Sequence, residues 1–428
     1  MRGFAQRMDV EEVERLLRAR LAQVGPDGGS GAPLGAEPVP LLEAAGRVLA
    51  EAVEAGVDVP GFDRSAMDGY AVRGEDTFGA TDYGPLTLDV VGESYPGRPF
   101  DGTVAPGQAV RIMTGAPVPQ GADAVVMAEV CQEKQGRVEV RDAVSPRKHV
   151  GPAGEDIRCG DLVLREGRRL RPQDVGLLAS IGVPSVACVR RPRVRLLVTG
   201  DELVRPGEAP GGARIADSNS PMLRALIGRD GGEVSVEHLP DRRERIRAAL
   251  EAPGADVILV SGGSSVGQED HAPGLVAELG SLDFHGVAMR PSSPAGGGRV
   301  GEAHVFLLPG NPVSCLCAYE FFAGPSIRTL GGRAWRWPHA RVRLPLLRKI
   351  SSQVGRTDYV RVGIEGGKVV PIATSGASIL SSTVRAAGAV IVPRELEGMA
   401  EGVQVEVLLY GGVDELDLPA VSGAENAG

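Results

Sequence analysis

The chain has 428 residues, a formal net charge of −9, a hydrophobic fraction of 43% and a charged fraction of 24%. Its length predicts roughly two to four domains, and its acidic balance disfavours nucleic acid or an anionic membrane surface as a partner. No apolar run reaches the roughly 20 residues that a membrane helix needs, so we expect a cytoplasmic protein.

The first half of the chain predicts one helix followed by β-rich structure. Apolar residues recur at helical spacing over 9–23, and a Gly/Pro-rich stretch over 25–39 interrupts that pattern. Over 84–190, short alternating segments such as PLTLDVV and RVEVRDAV are separated by glycine, proline and aspartate. This alternation predicts one or two small β-containing domains.

From Arg193 onward, strand-like segments alternate with helical ones. The strand-like segments are VRLLVTG, GEVSVEHL, DVILVSGG and HVFLLPG, and the helical ones are PMLRALIGRDG, DRRERIRAALEA and PVSCLCAYEFF. Strands that alternate with helices predict a parallel α/β sheet. Ser220 before Pro221 indicates the start of a helix, and Gly231 indicates its end.

The rest of the chain predicts a small all-β domain over 338–416 and a disordered tail over 417–428. The five cysteines have no paired spacing that would indicate zinc or a disulfide framework. Cys315 and Cys317 are best interpreted as small buried residues.

Polar, glycine-containing stretches follow the predicted strands. They are TGDEL (199–203), LPDRRER (239–245), SGGSSVGQED (261–270) and LPGNPVS (308–314). In an open α/β sheet the ligand crevice lies beyond the carboxyl ends of the strands, and glycine N–H groups there can receive an anion. Glu202, Asp241 and Asp270 each come just after a strand, so they could converge on Mg²⁺. Each acid alone could equally be a turn or helix-cap residue.

The same loop fits a second class of enzyme. Gly263 to Gly267 spells G-x-S-x-G between a strand and a helix, which is typical of a hydrolase with Ser265 as nucleophile. His271 is too close in sequence for the usual order of a catalytic triad, and the later histidines have no convincing third residue. An α/β hydrolase is therefore the less favoured alternative.

Two polar stretches upstream of the sheet do not resemble ordinary core. Residues 58–76 concentrate Asp63 and Asp68 around glycines, and Thr114 precedes a proline-rich turn. Local turns and backbone hydrogen bonds would also explain these residues.

Taken together, the motifs resemble those of the molybdopterin molybdenumtransferase family, MoeA, which includes the gephyrin E domain. The resemblance rests on FDRSAMDGYAV, RIMTGAPVP, GEDI, VTGDEL, DSNSPML, SGGSSVGQED, LPGNPVS, GRTDYVRV and SGASILSSTVRAAGAVIVP. It implies an elongated homodimer with four subdomains per chain. These are a linking domain (1–58 with 144–191), an inserted β-rich domain (59–143), a molybdopterin-binding α/β domain (192–334) and a C-terminal β-barrel (338–416).

The resemblance also implies an activity, the last step of molybdenum cofactor synthesis. The enzyme would cleave the phosphoanhydride of adenylylated molybdopterin with the help of Mg²⁺, release AMP and leave molybdate on the dithiolene. Molybdopterin adenylyltransferase would be its upstream partner.

The site residues follow from the same resemblance. Asp63, Glu202, Asp241 and Asp270 would be catalytic, the last three also as metal ligands, and Asp63 and Thr114 would act at the site of the other subunit. The substrate-binding residues would be Thr114, Asp156, Ser261, Gly262, Gly263, Ser265, Gly267, Arg290, Pro309, Gly310, Asn311, Pro312 and Ser314.

The chain departs from the family at its basic positions. Uncharged residues stand where the family places cations: Gly151, Ala153, Gly286 and, within RPSSP (290–294), Ser293. Because a charge-assisted contact to phosphate contributes roughly 1.5 to 3 kcal/mol, their loss would weaken binding unless other groups replace them. One alternative is an active enzyme whose cations are relocated to Arg290, Arg214, His271 or His285. The other is a diverged paralogue that binds a pterin or acts as a scaffold without catalysis, and the retained acids favour the first.

Overall fold

The structure, a computed structural model, describes four ranges of the chain: 7–22, 33–262, 271–373 and 376–411. The chain divides into two compact units. One unit is 38–188, and the other combines 1–37 with 189–428. The predicted α/β sheet lies entirely in the second of these.

The 38–188 unit contains a six-stranded β-sheet. In spatial order its strands are Ala124–Met127, Gly69–Val72, Gln108–Ile112, Leu86–Ser94, Arg137–Val140 and Cys131–Lys134. The third and fourth pair in parallel, and the other neighbours are antiparallel. Alternate side chains, including Val126 and Val138, are fully buried in its core. This agrees with the β-rich structure that the alternating segments predict.

The rest of this unit packs around a second core that includes Leu49 and Leu178. Its helix begins with a proline, which needs no N–H partner in the first turn, and spans Pro172–Ser180. Two short antiparallel pairs join distant segments: Val53–Glu54 with Leu162–Leu164, and Arg64–Ser65 with Val150–Gly151. The strands Ala36–Pro40 and Ser185–Val189 lie at the two points where the chain passes from one unit to the other. Three short 3₁₀ turns are described in this unit, at Leu41–Glu43, Gly74–Thr77 and Ala128–Val130.

The second unit contains the predicted α/β sheet, with six strands. They are β1 (Arg193–Thr199), β2 (Glu233–Leu239), β3 (Val257–Ser261), β4 (Gly280–His285), β5 (Gly296–Val300) and β6 (Ala303–Leu308). The spatial order is β2, β1, β3, β6, β5, β4. The first four are parallel, as predicted, whereas β5 and β4 add an antiparallel edge. The sequence does not reveal this edge because β5 begins with three glycines and so has no side-chain alternation.

The helices of this sheet are α1 (Asn219–Asp230), α2 (Arg243–Glu251), α3 (His271–Leu279) and α4 (Pro312–Ala318). After α4 the chain continues through a π-helical turn, Tyr319–Ala323, into the helix Gly324–Leu330. The start of α1 differs from the predicted N-cap at Ser220, because the carboxylate of Asp217 accepts the N–H groups of Asn219 and Ser220 at 3.0 Å each. Gly231 ends α1 with φ 91, as predicted.

Buried apolar residues cover both faces of the sheet. Leu197 and Val260 are completely buried, and Leu275 of α3 packs in the same cluster. Cys315 and Cys317 are also fully buried, which confirms their interpretation as small core residues.

The same unit includes the predicted first helix and a β-rich C-terminal part. The first helix spans Val10–Leu21 and buries Val10, Val13, Leu17 and Leu21. The C-terminal sheet comprises, in order, Met289–Arg290, Thr357–Glu365, Gly388–Val392, Gln404–Leu409 and Arg341–Pro345, with Lys368–Ala373 paired to Thr357–Glu365. A short pair, Ile350–Ser351 with Gly398–Met399, and the helix Ser381–Val384 complete it. The four subdomain limits and the closed barrel stay predictions. No helix within the described ranges is long and apolar enough to cross a membrane.

Candidate functional site

A cavity of about 600 Å³ lies at the carboxyl ends of the parallel strands, where the sequence predicts a ligand crevice. Every residue that lines it belongs to the unit with the α/β sheet. The lining residues are Val198, Thr199, Gly200, Glu202, Leu203, Ile215, Ala216, Asp217, Ser218, Asn219, Asp241, Ser261, Gly262, Gly310, Asn311, Pro312 and Ser378.

Glycine lets three strand ends meet at the floor of this cavity. Gly262, directly after β3, has φ 99, and a Cβ atom on it would lie 2.4 Å from the carbonyl oxygen of Thr199 at the end of β1. Its N–H donates to the carbonyl oxygen of Leu308, the last residue of β6, at 3.2 Å. A side chain at this position would therefore force the strand ends apart.

Two of the predicted acids, Glu202 and Asp241, line the cavity together. The backbone N–H of Asp241 donates to the carboxylate of Asp201 at 3.3 Å. Burial, together with the nearby carboxylates of Asp201 and Glu202, raises the pKa of Asp241. A cation bound near these three carboxylates would therefore stabilise their ionised forms. The third predicted acid, Asp270, lies outside the described residues.

Asp217 and Asn219 line the cavity too, although the sequence reasoning assigns them no role. Asp217 accepts hydrogen bonds from Ser220 and from His238 Nε2, the latter at 2.8 Å. Burial opposes ionisation of Asp217, but these hydrogen bonds outweigh it and lower the pKa of its carboxyl. Both residues belong to the stretch DSNSPML (217–223), which supports the family resemblance but from which no site residue was predicted.

The C-terminal part supplies one wall residue, Ser378, which the sequence reasoning also leaves unassigned. Ser378 Oγ donates to Asn311 Oδ1 at 2.8 Å, and the N–H of Val313 donates to the carbonyl of Ala377 at 2.9 Å. The fully buried Arg361 donates to the carbonyl oxygen of Gly376 and so holds this segment in place.

The predicted Asp63 and Thr114 lie in the 38–188 unit, each with a partner. Asp63 is bound by the guanidinium of Arg147 and by the N–H of Ala153, and these contacts lower the pKa of Asp63. Thr114 donates from both its N–H and its hydroxyl to Asp68, at 2.7 Å each. The strand pair between Arg64–Ser65 and Val150–Gly151 thus brings two distant predicted motifs together. Asp156 is exposed.

The predicted substrate-binding residues of the unit with the α/β sheet divide into three groups. Those that line the cavity are Ser261, Gly262, Gly310, Asn311 and Pro312, and those that do not are Arg290, Pro309 and Ser314. Gly263, Ser265 and Gly267 lie outside the described residues, as does the whole G-x-S-x-G stretch of the hydrolase alternative. Within the described residues, no group of three or more His, Cys, Asp or Glu side chains is arranged to hold a metal ion.

No lysine, arginine or histidine occurs among the described lining residues. Arg290 instead pairs with the fully buried Asp358, which also accepts hydrogen bonds from Ser352 and Arg356. Gly286, where the resemblance places a lysine, has φ 97, a conformation that favours glycine. The described lining residues therefore include no basic side chain that could replace the cations of the family.

Ser292 offers a test of the local backbone next to Arg290. It has φ 83, is 2% exposed, and its hydroxyl has no hydrogen-bond partner in the described part of the chain. Because a left-handed conformation costs a non-glycine residue about 1 to 2 kcal/mol, Ser292→Gly should stabilise the fold by about 1 kcal/mol in urea unfolding. Ser293→Gly is the control, since Ser293 has no positive φ, and it should not stabilise. Equal effects of the two changes would contradict this interpretation.

Comparison with known proteins gives one family along the chain. Family profiles match the MoeA N-terminal region (domains I and II) over 8–182, a probable molybdopterin binding domain over 195–329 and the MoeA C-terminal region (domain IV) over 343–410. The chain is 34% identical to the molybdopterin molybdenumtransferase of Haemophilus influenzae, covering 88% of this chain and 94% of that protein. It is 36% identical to molybdopterin molybdenumtransferase 2 of Mycobacterium tuberculosis, covering 86% and 94%. The crystal structure of the molybdopterin biosynthesis MoeA protein of Pyrococcus horikoshii superposes with a TM-score of 0.81 at 32% identity, covering 95% of this chain and all of that one.

Proposed function

The chain belongs to the MoeA family of transferases in molybdenum cofactor biosynthesis, and from this premise we propose that it inserts molybdate into adenylylated molybdopterin. The reaction would cleave the phosphoanhydride of the substrate with the help of Mg²⁺ and release AMP. The observation that carries the proposal is the pairing of Glu202 with Asp241 in a cavity at the carboxyl ends of parallel strands.

The donor set of this cavity fits Mg²⁺. Magnesium prefers oxygen ligands and is commonly held by one or two carboxylates together with substrate phosphates and water. Glu202 and Asp241 supply two carboxylates, and burial together with the neighbouring carboxylates raises the pKa of Asp241, which a bound cation would offset. When bound, the ion would supply the positive charge that an anionic phosphoanhydride needs next to an acidic wall.

The protein's own groups would bind and orient the substrate. Gly262 and Gly310 line the cavity and carry no side chain, so a ligand could approach their backbone closely. Ser261 and Ser378 contribute hydroxyl groups to the wall, and Glu202 and Asp241 could orient the attacking oxygen or accept its proton. The predicted roles of Pro309, Ser314 and Arg290 stay part of the proposal.

The proposal includes a homodimer in the cytoplasm that receives its substrate from molybdopterin adenylyltransferase. Asp63 and Thr114 of one subunit would act at the cavity of the other. The contacts of Asp63 with Arg147 and Ala153 would hold its carboxylate ionised and oriented for that role.

A second candidate is a paralogue that binds a pterin without transferring molybdenum. It is favoured by the wall, whose described residues include no basic side chain, and by the engagement of Arg290 with Asp358. Retention of Glu202 and Asp241 in one cavity favours the transferase, because a carrier of an anion has no use for uncompensated carboxylates.

A single assay separates these candidates. Purified protein is incubated with adenylylated molybdopterin, molybdate and Mg²⁺, and both released AMP and reconstitution of a cofactor-free molybdoenzyme are measured. We expect AMP release and reconstitution that both depend on Mg²⁺. Tight binding of the substrate without AMP release would identify the non-catalytic paralogue instead.

A further inference from the structure

Asn219 has a hydrogen-bonding group that the protein leaves unused. Its side-chain Nδ2 donates to Ser261 Oγ at 3.1 Å and to the carbonyl oxygen of Gly310 at 2.8 Å. A backbone carbonyl can only accept, so this contact fixes which end of the amide is the nitrogen. The remaining atom, Oδ1, has no hydrogen-bond partner in the described ranges although Asn219 is only 8% exposed.

An unpaired buried acceptor is uncommon, because burial removes its water and nothing replaces it. Asn219 lines the cavity, so a ligand there can supply the missing donor. The carboxylate of the neighbouring Asp217 is already paired, because it accepts hydrogen bonds from Asn219, Ser220 and His238. Of these two neighbouring side chains, Asn219 is therefore the one with an unpaired acceptor.

Ser261 adds a complementary donor beside that acceptor. Its Oγ accepts from Asn219, so its own proton must be donated elsewhere, and the contact within reach among described residues is Cys315 Sγ at 3.9 Å. A sulfur at this distance is a weak acceptor. Asn219 and Ser261 thus present an acceptor and a donor side by side, and the hydrogen bond between them holds the two together.

We propose that Asn219 and Ser261 recognise an aminopyrimidine edge of the substrate, in which an amino group stands beside an unprotonated ring nitrogen. The amino group would donate to Asn219 Oδ1, and the ring nitrogen would accept from Ser261. The inference rests on the proposed function, because adenylylated molybdopterin carries this edge twice, on its pterin and on its adenine. Recognition by Asn219 would then select substrates by the amino group, independently of the phosphates.

Two pairs of ligands test the proposal and separate its two sources. Pterin and lumazine differ in that lumazine has an oxo group in place of the 2-amino group, and AMP and IMP differ in the same way at the purine 6-position. Dissociation constants are measured for the full-length protein by equilibrium titration. We expect at least about a tenfold preference for the amino-bearing member of one pair, since a site built for a donor rejects an analogue without it. The pair that shows the preference identifies the ring.

Variants assign the preference to Asn219. Asn219→Ala should reduce the ratio of the two dissociation constants to about 1, and Asn219→Asp, which keeps acceptor oxygens and volume, should retain the preference with weaker overall binding. Ser378→Ala is the matched control, because it also removes a lining hydrogen-bonding group and should weaken both ligands equally. If Asn219→Ala does not fold, the wild-type ratio and the aspartate variant still decide.

The outcomes distinguish this inference from the proposed function. A wild-type ratio near 1 for both pairs, or a preference unchanged in Asn219→Ala, overturns the inference even if the protein releases AMP and transfers molybdenum. A preference that depends on Asn219 in a protein that releases no AMP supports the inference and contradicts the transferase activity.

Discussion

Replacing Asp241 by asparagine should reduce molybdenum insertion by about 100-fold or more while the fold remains intact. The change keeps the shape of the side chain but removes one of the two described carboxylates that could hold Mg²⁺ in the cavity. Initial rates of AMP release, measured over a range of Mg²⁺ concentrations, should fall and require more Mg²⁺. Glu244→Gln is the control, because Glu244 is an exposed acid on α2 that does not line the cavity, and its effect should be small.

The same change should stabilise the protein near neutral pH. Because the pKa of Asp241 is raised from its ordinary value of 3.8, the ionised form is less favourable in the folded chain than in the unfolded one. The penalty is absent below pH 3.8 and develops as the pH rises through the folded-state pKa. Asp241→Asn should therefore raise the Tm at pH 7, and the difference should shrink toward pH 4. A lower Tm at pH 7 would show that Asp241 has a structural role instead.

Mixing variants tests the shared site of the proposed dimer. If Asp63 of one subunit acts with Asp241 of the other, a heterodimer of Asp63→Asn and Asp241→Asn chains contains one intact site. Co-refolding the two inactive variants should then restore part of the AMP release. No recovery from a mixture shown to contain heterodimers would place both residues' roles within one chain.

Replacing Gly262 by alanine should cost about 3 kcal/mol or more of unfolding free energy and remove ligand binding. The added Cβ would lie 2.4 Å from the carbonyl oxygen of Thr199, which belongs to a strand of the sheet and cannot rotate away. The strand ends must separate, and with them the residues on both sides of the cavity. Urea unfolding measures the loss of stability, and titration with molybdopterin measures the loss of binding.

Gly254→Ala separates the steric cost from the backbone cost. Gly254 has φ 92, close to the φ 99 of Gly262, but a Cβ atom there would meet nothing within 4 Å. Its substitution should therefore cost only the about 1 to 2 kcal/mol of a left-handed alanine. If both variants lose the same free energy of unfolding, the close approach of Gly262 to Thr199 does not add to the cost of the substitution.

The order of strands and helices after Arg193 could be predicted because burial on both faces gives a parallel strand a continuous apolar run. The position of the cavity followed from the same reasoning, since parallel strands end at one edge. Glu202 and Asp241 were therefore predicted as acids that follow strands, whereas Ser261, Gly262 and Gly310 were assigned to the site through the family resemblance. The edge strands β4 and β5 were not predicted, because the three glycines at the start of β5 give no alternation of apolar and polar side chains.

The sequence by itself determined the element order, the edge at which a ligand could bind and, through its motifs, the family. Only the tertiary structure decided which side chains are already engaged: Arg290 with Asp358, Asp63 with Arg147, and the amide of Asn219 with Ser261 and Gly310. The periodicity of a segment indicates which of its residues face the core. A hydrogen bond between residues 42 or 91 positions apart depends instead on how separate elements pack together. The unused oxygen of Asn219 is visible only after those distant partners have been accounted for.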